Sequence, residues 1–166
     1  MPVSLEIRDA TLKDLPQITR IYNDAVLTTV GTFDLETKSD AAQRAWFDIH
    51  VGRHPVLVAV ENEVVTGYAA LNAFSDRCGY QDTAEVSVYV DKDHRGKQVG
   101  TKLLSRLIER AKEHRLECLV SRIAEGNDAS FVMHKKFGFF EAGVLKRVGK
   151  KFGRVLDVHY WQLLLT

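Results

Sequence analysis

The spacing of apolar residues predicts that the first third of the chain forms one strand followed by two helices. Residues 4–10 alternate between polar and apolar side chains, which is typical of a half-buried strand. Residues 11–30 then place apolar side chains at helical spacing, with Pro16 in the first turn, where proline is tolerated. A second stretch with helical spacing covers residues 39–50, so two amphipathic helices follow the first strand.

The rest of the chain predicts strands and helices arranged around one sheet. Residues 55–74 contain two apolar runs separated by a turn at residues 61–63, which indicates a hairpin. After a strand at 83–90, the apolar side chains from Val99 to Ala111 recur on one helix face. The remaining predicted elements are a strand at 116–124, a helix at 127–138, and strands at 139–149 and 154–165. This order predicts an α/β (α+β) protein with a mixed sheet.

Composition and charge narrow the class of protein. The chain has 166 residues, of which 45% are hydrophobic and 27% charged, as in an ordinary soluble protein, and we expect a single domain over residues 1–166. The net charge of +1 argues against nucleic acid as a partner. No stretch approaches the roughly 18 apolar residues that span a bilayer, so we expect no membrane partner. Cys78 and Cys118 fit neither a metal site nor a disulfide framework, which favours a metal-free protein of the reducing cytoplasm.

A short basic loop before the helix at Val99 predicts an anion site. The loop reads Arg-Gly-Lys-Gln-Val-Gly over residues 95–100. Unpaired N–H groups and the dipole at a helix N-terminus favour a bound phosphate, and glycines let a ligand approach the backbone. The sequence lacks the Gly-Lys-Ser/Thr of a Walker loop and the three spaced glycines of a dinucleotide fingerprint. From the residues alone, either another phosphate-bearing ligand or a plain basic turn fits.

Several motifs together resemble a known family. Residues 86–104, with the loop inside them, resemble the acetyl-coenzyme A signature of GNAT-type N-acetyltransferases, usually written Arg/Gln-x-x-Gly-x-Gly/Ala. Asn-Asp-Ala-Ser at 127–130, followed by His-Lys-Lys-Phe-Gly-Phe at 134–139, resembles the downstream helix of that family. The order and spacing of the motifs over residues 5–165 are similar to the phosphinothricin/methionine sulfoximine acetyltransferase subfamily.

The resemblance implies a fold, a co-substrate and a set of binding residues. The fold is the GNAT fold, a mostly antiparallel twisted sheet that splays between two parallel strands and is flanked by about four helices. The co-substrate is acetyl-CoA, with its pantetheine arm along a free strand edge and its pyrophosphate on the loop. The residues implied to hold it are Val88, Tyr89, Val90, Arg95, Gly96, Lys97, Gln98, Val99, Gly100, Thr101, Asn127 and Lys136. Gln98 replaces the first glycine of the motif, and we expect a negative φ there, with the side chain pointing outward and binding retained.

The resemblance also implies two catalytic residues. Glu85 matches the family's general base and, in the predicted strand, shares a face with Ser87 and Tyr89. Burying an unpaired carboxylate is costly, so the alternative for Glu85 is a structural salt bridge. His134 stands where most GNAT enzymes carry a tyrosine that protonates the departing thiolate. Imidazole can act as acid or base, although a structural histidine is the alternative, with Tyr89 and Tyr160 as substitute acids.

The acceptor implied by the resemblance is a small zwitterion bound between the first helix, the 71–80 loop and the last strands. The candidate contacts are Tyr22, Phe33, Phe74, Arg77 and Tyr80. Arg77 suits a carboxylate or phosphinate because guanidinium groups bind these in two-point contacts. Each residue also has an ordinary alternative as a core aromatic or a solvated charge.

The expected function is therefore acetyl-CoA-dependent N-acetylation of a small amino-acid-like amine. We expect direct transfer within a ternary complex, since neither cysteine lies at a motif position suited to an acyl-enzyme, and a homodimeric assembly. The alternatives are acetylation of a protein N-terminus or lysine, and coenzyme binding without catalysis.

Overall fold

The computed structural model describes residues 4–165, and its elements follow the order that the sequence predicts. The strands are β1 (Glu6–Asp9), β2 (Val56–Glu61), β3 (Val64–Ala73), β4 (Thr83–Val90), β5 (Cys118–Ala124), β6 (Phe140–Lys151) and β7 (Arg154–Leu164). The helices are α1 (Leu15–Thr28), α2 (Asp40–Asp48), α3 (Val99–Glu113) and α4 (Asp128–Lys136). Short 3₁₀ turns cover Leu12–Asp14, Cys78–Tyr80 and Lys92–His94.

The seven strands form one mixed sheet in the order β1-β2-β3-β4-β5-β7-β6. The β4–β5 pair is parallel, and the other neighbouring pairs are antiparallel. β4 and β5 pair only from Thr83 with Cys118 to Glu85 with Val120, and the rest of β4 pairs with β3 alone. The sheet therefore opens between its two parallel strands, which confirms the expected mixed, splayed architecture.

Apolar clusters cover both faces of the sheet. On one face, α3 packs its fully buried leucines, among them Leu103 and Leu107, against Leu71 and Leu119 of the sheet. On the other face, Ile18 and Ile21 of α1 join a second cluster with residues of β2 and β3. Burial of leucine and isoleucine side chains contributes roughly 1.5–3 kcal/mol each, so these two layers stabilise the sheet from both sides.

Local signals in the sequence mark the ends of several elements. The Ser39 hydroxyl accepts a hydrogen bond from the Ala42 amide at 3.1 Å and caps α2. The β2–β3 turn places Asn62 and Glu63 at φ values of 49° and 65°, as a tight two-residue hairpin turn requires. Gly138 follows α4 with a φ of 87°, a conformation that glycine adopts without strain.

Two further observations concern membranes and metal ions. Within residues 4–165, no helix is long and apolar enough to cross a membrane. Over the same range, no three histidine, cysteine, aspartate or glutamate side chains are grouped in a way that could hold a metal ion.

Candidate active site

The opening between β4 and β5 leads into a cavity of about 950 Å³. Its walls include β4 from Glu85 to Val90, Ser121 and Arg122 of β5, and Asn127, Ser130 and His134 at and within α4. The segment that follows α1, and residues of β6 and β7, complete the lining. The cavity lies where the sheet's own hydrogen bonding stops, so both backbone and side-chain groups face it.

The free edge of β4 is the first feature of this cavity. Val88, Tyr89 and Val90 pair with β3 on one side and have no strand partner on the other. Backbone N–H and C=O groups in such an edge seek a partner, and an extended ligand can supply one. Arg95 lies at the end of the edge, where its Nε donates to the Val90 carbonyl at 3.4 Å.

The basic loop turns tightly into α3. Gly96 has a φ of 76° and Gln98 a φ of 64° with ψ of 13°, so both are left-handed. The expectation of a negative φ at Gln98 is therefore wrong, because the turn into the helix needs the backbone shape for which the family motif uses glycine. The Gln98 side chain is nevertheless exposed, as expected. Gly100 lies in a tight place, since an added Cβ would be 3.2 Å from the Met133 sulfur and that side chain would have to shift.

The remaining residues expected to bind the coenzyme lie around this loop and α4. Lys97 is exposed, Val99 is buried in the core as the first residue of α3, and Thr101 is half-buried in the first turn. Asn127 begins α4 without a side-chain capping hydrogen bond and lines the cavity. Lys136 is exposed at the far end of α4 and does not line the cavity.

Glu85 lies at the point where β4 and β5 separate, and it forms an ion pair. Its Oε1 accepts hydrogen bonds from Arg122 Nε at 3.0 Å and from Arg122 Nη2 at 2.7 Å. Within residues 4–165, Oε2 of Glu85 has no hydrogen-bond donor. The salt bridge that the sequence left as an alternative is therefore present, while one carboxylate oxygen stays open to the cavity.

Arg122 is a site residue that sequence reasoning missed. It lies on β5. Burial lowers its pKa while the hydrogen bond that it donates to Glu85 raises it, and the net direction is upward. Tyr160 of β7 is paired with Arg122 across the sheet and lines the same cavity. An arginine inside the mostly apolar strand at residues 118–124 was the available signal.

His134 is buried, with 3% of its surface exposed. Its Nδ1 lies 2.7 Å from the Ser130 carbonyl oxygen, so Nδ1 carries the hydrogen and donates it. Burial lowers the pKa of the ring and outweighs the opposing effect of the Ser130 carbonyl. Within the described chain, Nε2 is buried without a partner, so at neutral pH the ring is uncharged and holds a free lone pair on Nε2.

The candidate acceptor residues divide into two groups. Tyr22 lines a smaller cavity of about 300 Å³ beside the large one, and Phe33 lines the large cavity. Phe33 packs so closely on Gly149 that an added Cβ there would lie 1.9 Å from the ring. The structure does not bring the other three to either cavity. Phe74, Arg77 and Tyr80 lie on the exposed β3–β4 connection, where the two aromatic rings meet edge to face at 5.3 Å.

The smaller cavity joins residues predicted from the sequence, Tyr22 and Tyr89, to others that were not, such as Asp34. It shares Asp34, Ser87 and Tyr89 with the large cavity. Tyr22 donates a hydrogen bond to Asp34, and burial together with that carboxylate raises the pKa of Tyr22 to about 12. Burial also raises the pKa of Tyr89 well above its ordinary value. Both phenols therefore stay protonated at neutral pH.

Comparison with known proteins identifies the class. Residues 7–160 match the family model described as Acetyltransferase (GNAT) domain. An L-methionine sulfoximine/L-methionine sulfone acetyltransferase of Pseudomonas aeruginosa is 45% identical over 98% of this chain and 96% of its own length. A phosphinothricin N-acetyltransferase of Streptomyces coelicolor is 30% identical over 95% of both chains.

A solved structure agrees with this relationship. An acetyltransferase of Salmonella typhimurium, determined with acetyl-CoA, is 40% identical, covers 98% of this chain and 94% of its own, and superimposes with a TM-score of 0.94. The chain thus belongs to the GNAT acetyltransferase family, and it is an acetyltransferase. The family expectation drawn from the loop and the motifs around it is confirmed.

Proposed function

We propose that this protein transfers an acetyl group from acetyl-CoA to the amine of a small amino-acid-like substrate of the methionine sulfoximine or phosphinothricin type. The observation that carries the proposal is the free edge of β4, which leads along the cavity to the open carboxylate oxygen of Glu85. The names of the relatives, and the acetyl-CoA in the Salmonella structure, support both the donor and the acceptor class.

The residues around the cavity fit the coenzyme. The backbone of Val88 to Val90 would pair with the amides of the pantetheine arm, as an unpaired strand edge does with an extended partner. The first amides of α3, from Gly96 to Thr101, would hold the pyrophosphate, with Arg95 and Lys97 adding positive charge. The side-chain amide of Asn127 makes no capping hydrogen bond with α4. It lines the cavity and would bind the pantetheine arm. Lys136 is proposed for the distal phosphate.

Glu85 is proposed as the general base. An ammonium group has to lose a proton before its nitrogen can attack a thioester carbonyl, and the free Oε2 of Glu85 is placed to accept it. Arg122 fixes the carboxylate through two hydrogen bonds to Oε1, which leaves Oε2 free for the substrate's ammonium group. In this proposal the salt bridge orients Glu85 for its role as general base, and the two roles are compatible.

Direct transfer is supported by the positions of the thiols. Cys78 is exposed on the β3–β4 connection, and Cys118 is half-buried at the start of β5, with its pKa raised by burial. Neither cysteine lines the cavity. An acyl-enzyme needs an ionised thiol next to the thioester, so a ternary complex is the mechanism that we propose.

His134 is proposed to take part in proton transfer, with its Nε2 atom as the acceptor. Its neutral ring would accept a hydrogen bond there, whereas protonating the departing thiolate would first require a charge that burial opposes. Tyr160, which lines the cavity opposite Arg122, is the alternative acid.

We further propose that the single domain assembles as a homodimer. Apolar side chains outside the large cavity are exposed along β6 and β7, among them Phe140, Val155 and Leu164. Such a row on a sheet edge is typical of a surface that another chain covers. Light scattering of the purified protein should give twice the monomer mass of 18.7 kDa. A monomer at micromolar concentration contradicts this assembly.

A thiol-release assay tests the proposed activity. Acetyl-CoA is offered together with L-methionine sulfoximine, L-methionine sulfone, phosphinothricin, ordinary amino acids, polyamines or peptides. We expect release with the first three and little with peptides. Release with peptides alone would favour the protein N-acetyltransferase alternative, and coenzyme binding without release would favour a non-catalytic module.

A further inference from the structure

The smaller cavity is an inner compartment of the active site. It has a volume of about 300 Å³ and meets the large cavity at Asp34, Ser87 and Tyr89. Ser87 follows Glu85 by two positions on the same face of β4, which separates their Cα atoms by about 6.6 Å. A small molecule whose amine lies at Glu85 can therefore extend past Ser87 into the inner compartment.

Two buried polar side chains in this compartment lack a partner. Tyr68 is 1% exposed and Gln43 is 4% exposed, and both line the cavity. Neither side chain forms a hydrogen bond with another residue from 4 to 165. Because both side chains line the cavity and have no partner among residues 4–165, their polar atoms are free to form hydrogen bonds with a ligand there.

The other polar groups around the compartment are mainly hydrogen-bond donors. Asn72 Nδ2 donates to Ser87 Oγ at 2.9 Å, so the Ser87 hydroxyl hydrogen is free for another acceptor. Lys38 Nζ lies 3.3 Å from Asp34 and keeps further hydrogens to donate. With the Tyr68 hydroxyl and the Gln43 amide, these groups favour a ligand that carries oxygen acceptors.

Aromatic rings supply the apolar part of the wall. Tyr68 stacks on Tyr89 with centroids 5.3 Å apart, and Trp46 meets Tyr68 edge to face at 6.0 Å. Such rings also bind cations, but the carboxylate that a cation would need, Asp34, is already paired with Tyr22 and Lys38. The rings are therefore better matched to methylene groups than to an ammonium group.

We propose that this inner compartment binds the side chain of the acceptor amino acid and selects an unbranched chain that ends in hydrogen-bond-accepting oxygens, as in a sulfone, sulfoximine or phosphinate. The proposal rests on the proposed function, in which the acceptor's amine lies at Glu85. The Tyr68 hydroxyl and the Gln43 amide contact the terminal oxygens, and Trp46 and Tyr89 contact the methylene groups.

Two matched acceptors test this assignment. L-Methionine sulfone and L-methionine share one side chain and differ only in the two sulfone oxygens. We expect Tyr68→Phe, which removes a single hydroxyl, to lower the ratio of kcat/KM for the sulfone over methionine by about tenfold. Gln43→Leu removes the second polar group and should lower the same ratio by a similar factor. Gln81→Leu, an equivalent change at an exposed residue outside both cavities, is the control and should leave the ratio as it is.

The outcomes separate the compartment from the activity. A ratio that stays unchanged in both variants overturns the assignment, even if both rates fall together. If the unaltered protein acetylates no free amino acid, the proposed function fails. Calorimetry of L-methionine sulfone binding then tests whether the inner compartment binds the side chain. Binding that weakens about tenfold in Tyr68→Phe supports it, and binding that is absent or unaffected overturns it.

Discussion

The two faces of β4 show how one strand serves both stability and chemistry. Val86, Val88 and Val90 turn toward α3 and join the apolar cluster beneath that helix. Glu85 and Ser87 alternate with them and turn toward the cavities. The residues of the first face contribute to stability through the apolar area that they bury. Those of the second face contribute through the positions of individual polar atoms. Substitutions on the packed side should therefore cost stability, and those on the open side should cost activity.

The largest effect is expected on the open face. Glu85→Gln keeps the shape of the side chain but removes its ability to accept a proton, so turnover should fall by about 10²-fold or more, with little loss of coenzyme affinity. Thiol release measures turnover, and calorimetry with coenzyme A measures affinity. Glu117→Gln, at an exposed residue just before β5, is the matched control. Unchanged turnover in Glu85→Gln would remove Glu85 from the mechanism.

A substitution on the packed face should lower stability and leave turnover nearly unchanged. Leu103 of α3 is fully buried against the sheet, so Leu103→Ala should lower the free energy of unfolding by about 2–5 kcal/mol. Its kcat per folded molecule should stay near that of the unaltered protein. Urea unfolding gives the first quantity, and Leu27→Ala, at a leucine that is 61% exposed, provides the control. Equal destabilisation by both changes would show that α3 does not hold this face.

Asp91 follows the end of β4 and holds the turn that precedes the basic loop, through hydrogen bonds with Arg20, His94 and the Asp93 amide. Burial acts to raise the pKa of this carboxyl, but hydrogen bonds from His94, Arg20 and the Asp93 amide lower it to about 2. A carboxyl with a lowered pKa in the folded state stabilises the protein above its unfolded pKa near 3.8. That stability, about 2 kcal/mol, is lost as the pH falls from about 4 to about 2.

Asp91→Asn tests this connection. The free energy of unfolding at pH 7 should drop by about 2 kcal/mol, and its decline between about pH 4 and 2 should become shallower. Urea unfolding across that pH range measures both effects. Asp48→Asn removes an exposed ion pair with Arg44 and should change the free energy by less than about 0.5 kcal/mol. A decline that is as steep in Asp91→Asn as in the unaltered protein would contradict the assignment.

A smaller effect is expected across the opening of the sheet. Arg122 holds Glu85 through two hydrogen bonds to Oε1, so Arg122→Gln should lower kcat/KM about tenfold by releasing the carboxylate. Arg122→Lys keeps the charge but loses the fixed geometry of the two contacts, and it should retain part of the activity. Thiol release at saturating acetyl-CoA compares the two variants. Full activity in both would make the ion pair structural only.

The sequence predicted the order of elements and the two faces of β4, because both follow from short-range periodicity. The partner of Glu85 was not predictable in this way, since Arg122 is brought to it by the parallel pairing of β4 with β5. Tyr68 and Gln43 appear in sequence as ordinary members of a strand and a helix. Their exposure to a cavity depends on how β3 and α2 pack, which no local pattern encodes.

The smallest effect is expected in the loop, where a residue breaks the pattern of its motif. Gln98 adopts a left-handed backbone that usually costs a non-glycine residue roughly 1–2 kcal/mol, yet its side chain is exposed. Gln98→Gly relieves that strain but gives the unfolded chain more freedom, and these two effects oppose each other. The free energy of unfolding should therefore change little. Because the Gln98 side chain is exposed and its backbone already has the left-handed shape that glycine adopts, coenzyme affinity, measured by calorimetry, should change by less than about threefold. A much tighter complex would mean that the glutamine distorts the amides of the loop, and the first turn of α3 would then be poorly formed for a phosphate.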